Sequence, residues 1–238
     1  MKERFGLPGE MHACLDKRIP VGAGLAGGSG NGAAVFHAVN DYFELHLSPE
    51  ELASLGSEIG ADVPFCIRGG TMLARGKGEV LEALPALCDT EILLVNGGFH
   101  VSTPEIFRRF DSLPKSAVPS VSHILHALER NESVMPHCYN DLERVTIPMH
   151  ESLSDLKRYL KEQGLVSLMS GSGPTIFALT DSQTADEVQK NWDDRWGRMF
   201  RCKPAERGVV AGRAESFCMS SNKGKTNTIH DGGNPLEE

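Results

Sequence analysis

No stretch of this chain approaches the ~18 consecutive apolar residues of a membrane-spanning helix. The first twenty residues, with Lys2, Glu3, Arg4, Glu10 and Asp16 spread through them, also lack the apolar core of a signal peptide. A basic surplus is missing too. Lys and Arg number 24 against 32 Asp and Glu, a formal net charge of -8, so the chain has no general means of releasing counterions from nucleic acid or meeting an anionic bilayer. The expected setting is cytoplasmic, with no nucleic-acid partner and no membrane partner. The six cysteines, Cys14, Cys66, Cys88, Cys138, Cys202 and Cys218, include no C-x-x-C pair. They read as reduced thiols, Cys66 in an apolar run as a core residue, and no zinc site is expected from them. Internal repeats are absent. What remains at 238 residues, 40% hydrophobic and 24% charged, is an ordinary soluble composition with room for one or two domains.

Glycine, by contrast, is concentrated between positions 20 and 34, in Pro20-Val21-Gly22-Ala23-Gly24-Leu25-Ala26-Gly27-Gly28-Ser29-Gly30-Asn31-Gly32-Ala33-Ala34. This stretch reads as a loop that opens a helix and cradles a phosphate. Glycines let a backbone take positive φ and approach a ligand closely, and the first N–H groups of a helix have no intrahelical acceptor, so an anion there meets free donors. No G-K-[ST] tripeptide closes the loop, which removes the Walker type. Gly22, Gly24 and Gly27 do spell G-x-G-x-x-G, the dinucleotide fingerprint. That reading needs a buried strand just before it, and His12, Asp16, Lys17, Arg18 and Pro20 make a polar approach. A flexible linker is the remaining alternative, and the apolar, ordered-looking flanks fit it poorly.

Along the chain, Met11–Leu15 alternates like a short strand leading into the loop. Ala33, Ala34, Phe36, Ala38, Val39, Tyr42 and Phe43 suit a buried helix, with His37 packed within it. Ser48-Pro49-Glu50-Glu51 is a capping box with proline at the first helical position, predicting a second helix through Leu52, Leu55 and Ile59 that stops at Gly60. Asp62 then falls at a helix-to-strand turn before a strand over 63–67. Strands are expected over 71–74 and 79–84, joined by glycine turns, and over 91–95, with the domain boundary at Asn96-Gly97-Gly98. Thr103-Pro104-Glu105 starts a helix carrying Ile106 and Phe107, followed by a loop over 111–120. His123 and His126 lie one turn apart but lack a third ligand and read as a solvated face. A helix through Leu153, Leu156, Tyr159 and Leu160 closes at Gly164. Strands over 165–169 and 175–180 flank a second glycine loop, Gly171–Gly173, and a helix over 184–192 and a strand over 198–202 complete the ordered part. The stretch 203–238 is expected to be a disordered tail.

Three ordered motifs resemble those of the GHMP small-molecule kinases: Lys17-Arg18-Ile19-Pro20-Val21-Gly22-Ala23-Gly24-Leu25-Ala26-Gly27-Gly28-Ser29, Ile59-Gly60-Ala61-Asp62-Val63-Pro64-Phe65, and Met169-Ser170-Gly171-Ser172-Gly173-Pro174-Thr175-Ile176-Phe177-Ala178. The resemblance runs from about Leu15 to about Asp194, and Asn140-Asp141-Leu142-Glu143 adds to it. It implies an α+β, two-domain GHMP-kinase-like fold. An N-terminally incomplete, ribosomal-S5-like first domain would cover 1–98 and a ferredoxin-like second domain 99–202. Departures from the family pattern are Ala26 in place of glycine, Gly30 in place of serine and Gly32 in place of alanine.

Within the family the likeness is strongest to the branch acting on 4-(cytidine 5′-diphospho)-2-C-methyl-D-erythritol in non-mevalonate isoprenoid synthesis. The implied reaction is ATP-dependent phosphorylation of the 2-hydroxyl, with Mg²⁺. By the resemblance, Asp62 is the base. Pro20, Gly22, Gly24, Leu25, Gly27, Gly28, Ser29, Gly30, Asn31, Ser170, Gly171, Ser172 and Gly173 hold the triphosphate, Phe107 stacks on the cytosine, and Thr103 lies with it at the substrate. No protein metal ligand is implied. The expected partner is the cytidine-diphosphate substrate, with a homodimer as the one protein assembly considered. Family members carry a catalytic lysine on a strand ahead of the first motif, and no position here matches it, so the chain as written is expected to lack turnover until an N-terminal extension restores it. The other readings are a nucleotide-binding remnant without turnover, a GHMP kinase for a different small alcohol, and a nicotinamide-binding oxidoreductase.

Overall fold

A computed structural model describes residues 1–87, 89–117 and 119–211. Cys88, Cys218 and the expected tail from 212 onward lie outside the described residues. One helical turn, α1 (Lys2–Phe5), precedes a stretch in which 10–19 form neither helix nor strand and stay exposed. The strand expected over Met11–Leu15 is therefore not there. No strand among the described residues lies beside it to take its N–H and C=O groups, and a lone strand does not hold itself.

Helix α2 (Gly27–Tyr42) begins inside the glycine run rather than at Ala33, so Gly27 to Asn31 form its first turns. In α3 (Pro49–Ser57) both halves of the capping box are made: Glu51 N–H donates to Ser48 Oγ (3.2 Å) and Ser48 N–H donates to the Glu51 carboxylate (2.8 Å). The segment after Asp62 is a helix, α4 (Val63–Arg68), and not the strand expected over 63–67. Its β-branched Val63 and Ile67 sit one turn apart and turn the same face into a core with Ala33, Phe36, Leu52 and Leu55, so tertiary packing overrides strand propensity. Gly56 is what lets α3 and α4 meet, since a Cβ there would stand 2.8 Å from both Val63 Cγ1 and Ile67 Cδ1. Strands β1 (Met72–Arg75) and β2 (Val80–Ala83) form an antiparallel hairpin turned by Gly76 and Gly78, both at positive φ.

The second core is built on a sheet of order β4-β5-β3-β6. β3 (Glu91–Asn96) is followed by helices α5 (Thr103–Phe110), α6 (Ser122–Glu129), α7 (Glu143–Met149) and α8 (Glu151–Glu162), then β4 (Ser167–Met169), β5 (Ile176–Thr180), α9 (Ser182–Lys190) and β6 (Arg198–Cys202). All neighbouring pairs are antiparallel, with Leu93 opposite Ala178 and Val95 opposite Ile176. Leu93, Val95, Met169, Ile176 and Ala178 point to one face, which α8 covers with Leu153, Leu156 and Leu160 and α9 with Ala185 and Val188. β3, just ahead of the boundary expected at Asn96-Gly97-Gly98, is hydrogen-bonded to β5 and β6 from the later part of the chain. Residues 203–211 belong to the stretch expected as a disordered tail. They return to the first core, where Val209 packs beside Leu52 and Ile67 and Gly208 passes so close to Cys66 O that a Cβ would stand 1.8 Å from it.

Candidate active site

The two glycine loops, far apart in sequence, meet. Ser170 Oγ donates to Gly24 O at 2.8 Å across a separation of 146 residues. Gly24 has φ 72, and a Cβ on it would lie 2.2 Å from Ser170 O, so only glycine permits this approach. On one side of that bond, the N–H groups of Gly27, Gly28 and Ser29 open α2 and have no acceptor among the described residues. Across it, the N–H groups of Gly171 and Ser172 are likewise without acceptors there. Two sets of free donors and the positive end of a 16-residue helix thus converge, which is the arrangement that binds polyphosphate. The hydroxyl of Ser29 and the amide of Asn31 have no partner among the described residues. Gly30 is already helical, Pro20 walls a cleft beside the loop, and Gly22 and Leu25 lie in the loop ahead of α2.

Asp62 stands at the N-cap of α4, yet its carboxylate makes no capping bond and no ion pair among the described residues. The plain cap role that a turn aspartate usually plays is therefore unfilled. Val63, next to it, contacts the second turn of α2, where a Cβ on Gly32 would lie 3.8 Å from Val63 Cγ2. The Cys66 thiol is pushed above its ordinary value, first by burial and then by the Asp62 charge. Thr103 begins α5, and its Oγ1 lies 2.7 Å from Ser172 Oγ. Phe107, one turn further along the same face of α5, is 49% exposed and belongs to none of the apolar clusters, so its ring is free to stack.

Several residues outside the expected site lie at this place, Lys17 among them although it opens the first motif. Lys17 reaches α2 with its ammonium, since a Cβ on Gly27 would lie 2.9 Å from Nζ, and the ring of His100 lies against Gly22. Asn140 Nδ2 donates to Met169 O (2.7 Å) and Gly171 O (2.8 Å), while Glu143 accepts from Met169 N–H (2.7 Å) and is paired with Lys157 at 2.5 Å. The resemblance of 140–143 to a family motif was the only signal that could have found the last two. A cleft of about 490 Å³ adjoins the first loop, walled by Lys17, Arg18, Pro20, Asn96, Arg198 and Phe200. Another of about 470 Å³ opens near 131–135 and 164–166, where neither glycine loop reaches, so cavity size alone does not locate the chemistry. Among the described residues no group of three or more His, Cys, Asp or Glu is placed to hold a metal, and no helix is long and apolar enough to cross a membrane.

Residues 1–70 match the GHMP kinases N terminal domain, and residues 118–198 match GHMP kinases C terminal. The chain is 41% identical over 214 residues to a 4-diphosphocytidyl-2-C-methyl-D-erythritol kinase of Clostridioides difficile, covering 88% of this chain and 72% of that one. It is 40% identical over 186 residues to the kinase of the same name from Exiguobacterium sibiricum, covering 77% of this chain. It spans 65% of that relative's length and 62% of the length of the one from Alkaliphilus metalliredigens, under two thirds in both cases. A crystal structure of 4-(cytidine 5′-diphospho)-2C-methyl-D-erythritol kinase superposes with a TM-score of 0.66 at 34% identity, over 78% of this chain and 68% of the other. Homoserine kinase from Cytophaga hutchinsonii superposes at 0.69 with 20% identity, over 81% and 69% of the two chains, a likeness of fold.

Proposed function

The chain belongs to the GHMP kinases, and on that premise we propose that it transfers the γ-phosphoryl group of ATP to the 2-hydroxyl of 4-(cytidine 5′-diphospho)-2-C-methyl-D-erythritol. The observation that carries the reading is the junction of the two glycine loops, with free N–H donors on both sides of the Ser170–Gly24 bond. Gly22 to Asn31 and Ser170 to Gly173 hold the triphosphate. Thr103 and Phe107 receive the cytidine end of the substrate, and Asp62 takes the proton of the attacking hydroxyl. The new bond forms between that oxygen and the γ-phosphorus as the bond to the ADP oxygen breaks; the protein's part is alignment and charge stabilisation. Mg²⁺ fits here as a partner of the triphosphate: it commonly binds substrate phosphates with few protein oxygens, the Ser29 hydroxyl, unpartnered among the described residues, would help hold it, and it would supply charge neutralisation. A nicotinamide-binding reading loses its support because the described residues leading directly into the first loop, 10–19, form no strand.

The assay is ADP release with the cytidylated methylerythritol, run on the chain alone and with a relative's N-terminal segment supplied. No substrate-dependent release in either form sinks the reading. In the active form Asp62→Asn lowers kcat by at least about 10²-fold with a smaller effect on ATP binding. Nucleotide binding without transfer is the second reading, favoured by one feature: no cation is paired with Asp62 among the described residues. ATP binding with no ADP release in either form would select it.

A further inference from the structure

In the turn 170–175, Ser170 N–H donates to Thr175 O and Gly173 N–H to Ser170 O, each at 2.9 Å, and Thr146 Oγ1 donates to Ser172 O at 3.2 Å, so the 172–173 peptide is held at both ends. The two peptides flanking Gly171 are held at the carbonyl alone, and of these the one joining Gly171 to Ser172 is held by a side chain. Its carbonyl is held by Asn140 Nδ2 at 2.8 Å, and its N–H has no acceptor among the described residues. This peptide is trans, so the C=O and N–H point in opposite directions, and whatever fixes one aims the other. Rotating this peptide changes ψ of Gly171 and φ of Ser172, and Gly171, at φ 55, resists the rotation less than a residue with a Cβ would. Without the side-chain anchor the peptide plane is free to tilt, and the Ser172 N–H loses its fixed direction toward the cleft.

We propose that Asn140 is a positioning residue for phosphate binding: by holding the Gly171 carbonyl to its own side it turns the Ser172 N–H the opposite way, to donate to a phosphoryl oxygen. The same amide nitrogen also donates to Met169 O, and Asn140 Oδ1 accepts from Leu142 N–H at 3.0 Å, so the anchor is itself held at both ends. Glu143, paired with Lys157 and accepting from Met169 N–H, secures the strand below the turn without touching the 171–172 peptide. The inference rests on the reading of the second glycine loop as a phosphate site.

The test measures binding of Mg²⁺-ATP, of tripolyphosphate and of the cytidylated methylerythritol by titration calorimetry, together with thermal unfolding. Asn140→Ala is expected to weaken ATP and tripolyphosphate by the same factor, at least about tenfold for one lost charge-assisted bond, and to leave the cytidylated substrate within about twofold. Asn140→Asp, matched in shape but unable to donate when ionised, carries the same expectation and serves if the alanine variant does not fold. Unchanged tripolyphosphate affinity, or equal weakening of all three ligands, overturns the proposal. If the unaltered protein binds the cytidylated substrate but neither ATP nor tripolyphosphate, the proposed function fails with it. If it binds all three and the variants do not discriminate, the role of Asn140 alone falls.

Discussion

Ala26 holds φ 48 at the N-cap of α2, a left-handed backbone that an L residue with a Cβ adopts at a cost of about 1 kcal/mol, and its side chain offers no cap. Ala26→Gly should therefore raise stability by about 1 kcal/mol and the Tm by about 2–4 °C in a calorimetric scan; a lower Tm would mean the Ala26 methyl packs usefully. Phe107, half exposed on α5, gives a second expectation at this scale. Phe107→Ala raises the KM for the cytidylated substrate while leaving that for ATP alone, because a stack made equally before and during reaction is uniform binding. A rise in the ATP value instead would place the ring on the other pocket. The motif that makes Asp62 worth naming is visible in the sequence, but its unfilled N-cap is not. Asp62 sits at φ -88 and ψ -10, a helical backbone rather than the extended one from which an N-cap side chain reaches the first turn, and no residue pattern encodes that.

Helix α3 is legible because its determinants are local: Ser48, Pro49 and Glu51 close a box over four residues. α4 is not, since Val63 to Ile67 has the composition of a strand and becomes helical through what α2 and α3 place against it. The early start of α2 is hidden for the opposite reason, as glycines disfavour a helix locally and the rest of α2 carries them. That imbalance predicts two opposite glycine effects, both read by chemical denaturation. Gly30→Ala, with nothing within 4 Å of the new Cβ, should stabilise by up to about 1 kcal/mol. Gly56→Ala should destabilise by about 1–3 kcal/mol, because its Cβ would stand 2.8 Å from Val63 and Ile67 and force α3 off α4.

For the molecule as a whole, acid is the informative stress. The Glu91 carboxyl lies below its ordinary 4.5, held there first by the hydrogen bond from Arg201, and Asp141 lies below 3.8 through Tyr139, then Ser116 and Arg144. A carboxylate depressed on folding leaves the unfolded chain binding more protons, so its stabilisation is present above the ordinary value and lost as pH falls through the lowered one. Thermal unfolding between pH 7 and pH 3 should show the Tm falling below about pH 4.5, and Glu91→Gln should flatten that fall. At this scale the sequence yields the family through three motifs but not the Ser170–Gly24 contact, which only the folded chain brings together. The return of Val209 to the core of Ala33, Phe36 and Ile67 has a consequence for synthesis. During translation the helix that opens the phosphate loop is made early, but its core is completed only after β6 and the residues behind it have emerged. At about 5–20 residues per second that is a delay of many seconds, during which the α2–α4 bundle carries a bare apolar face exposed to chaperones and proteases.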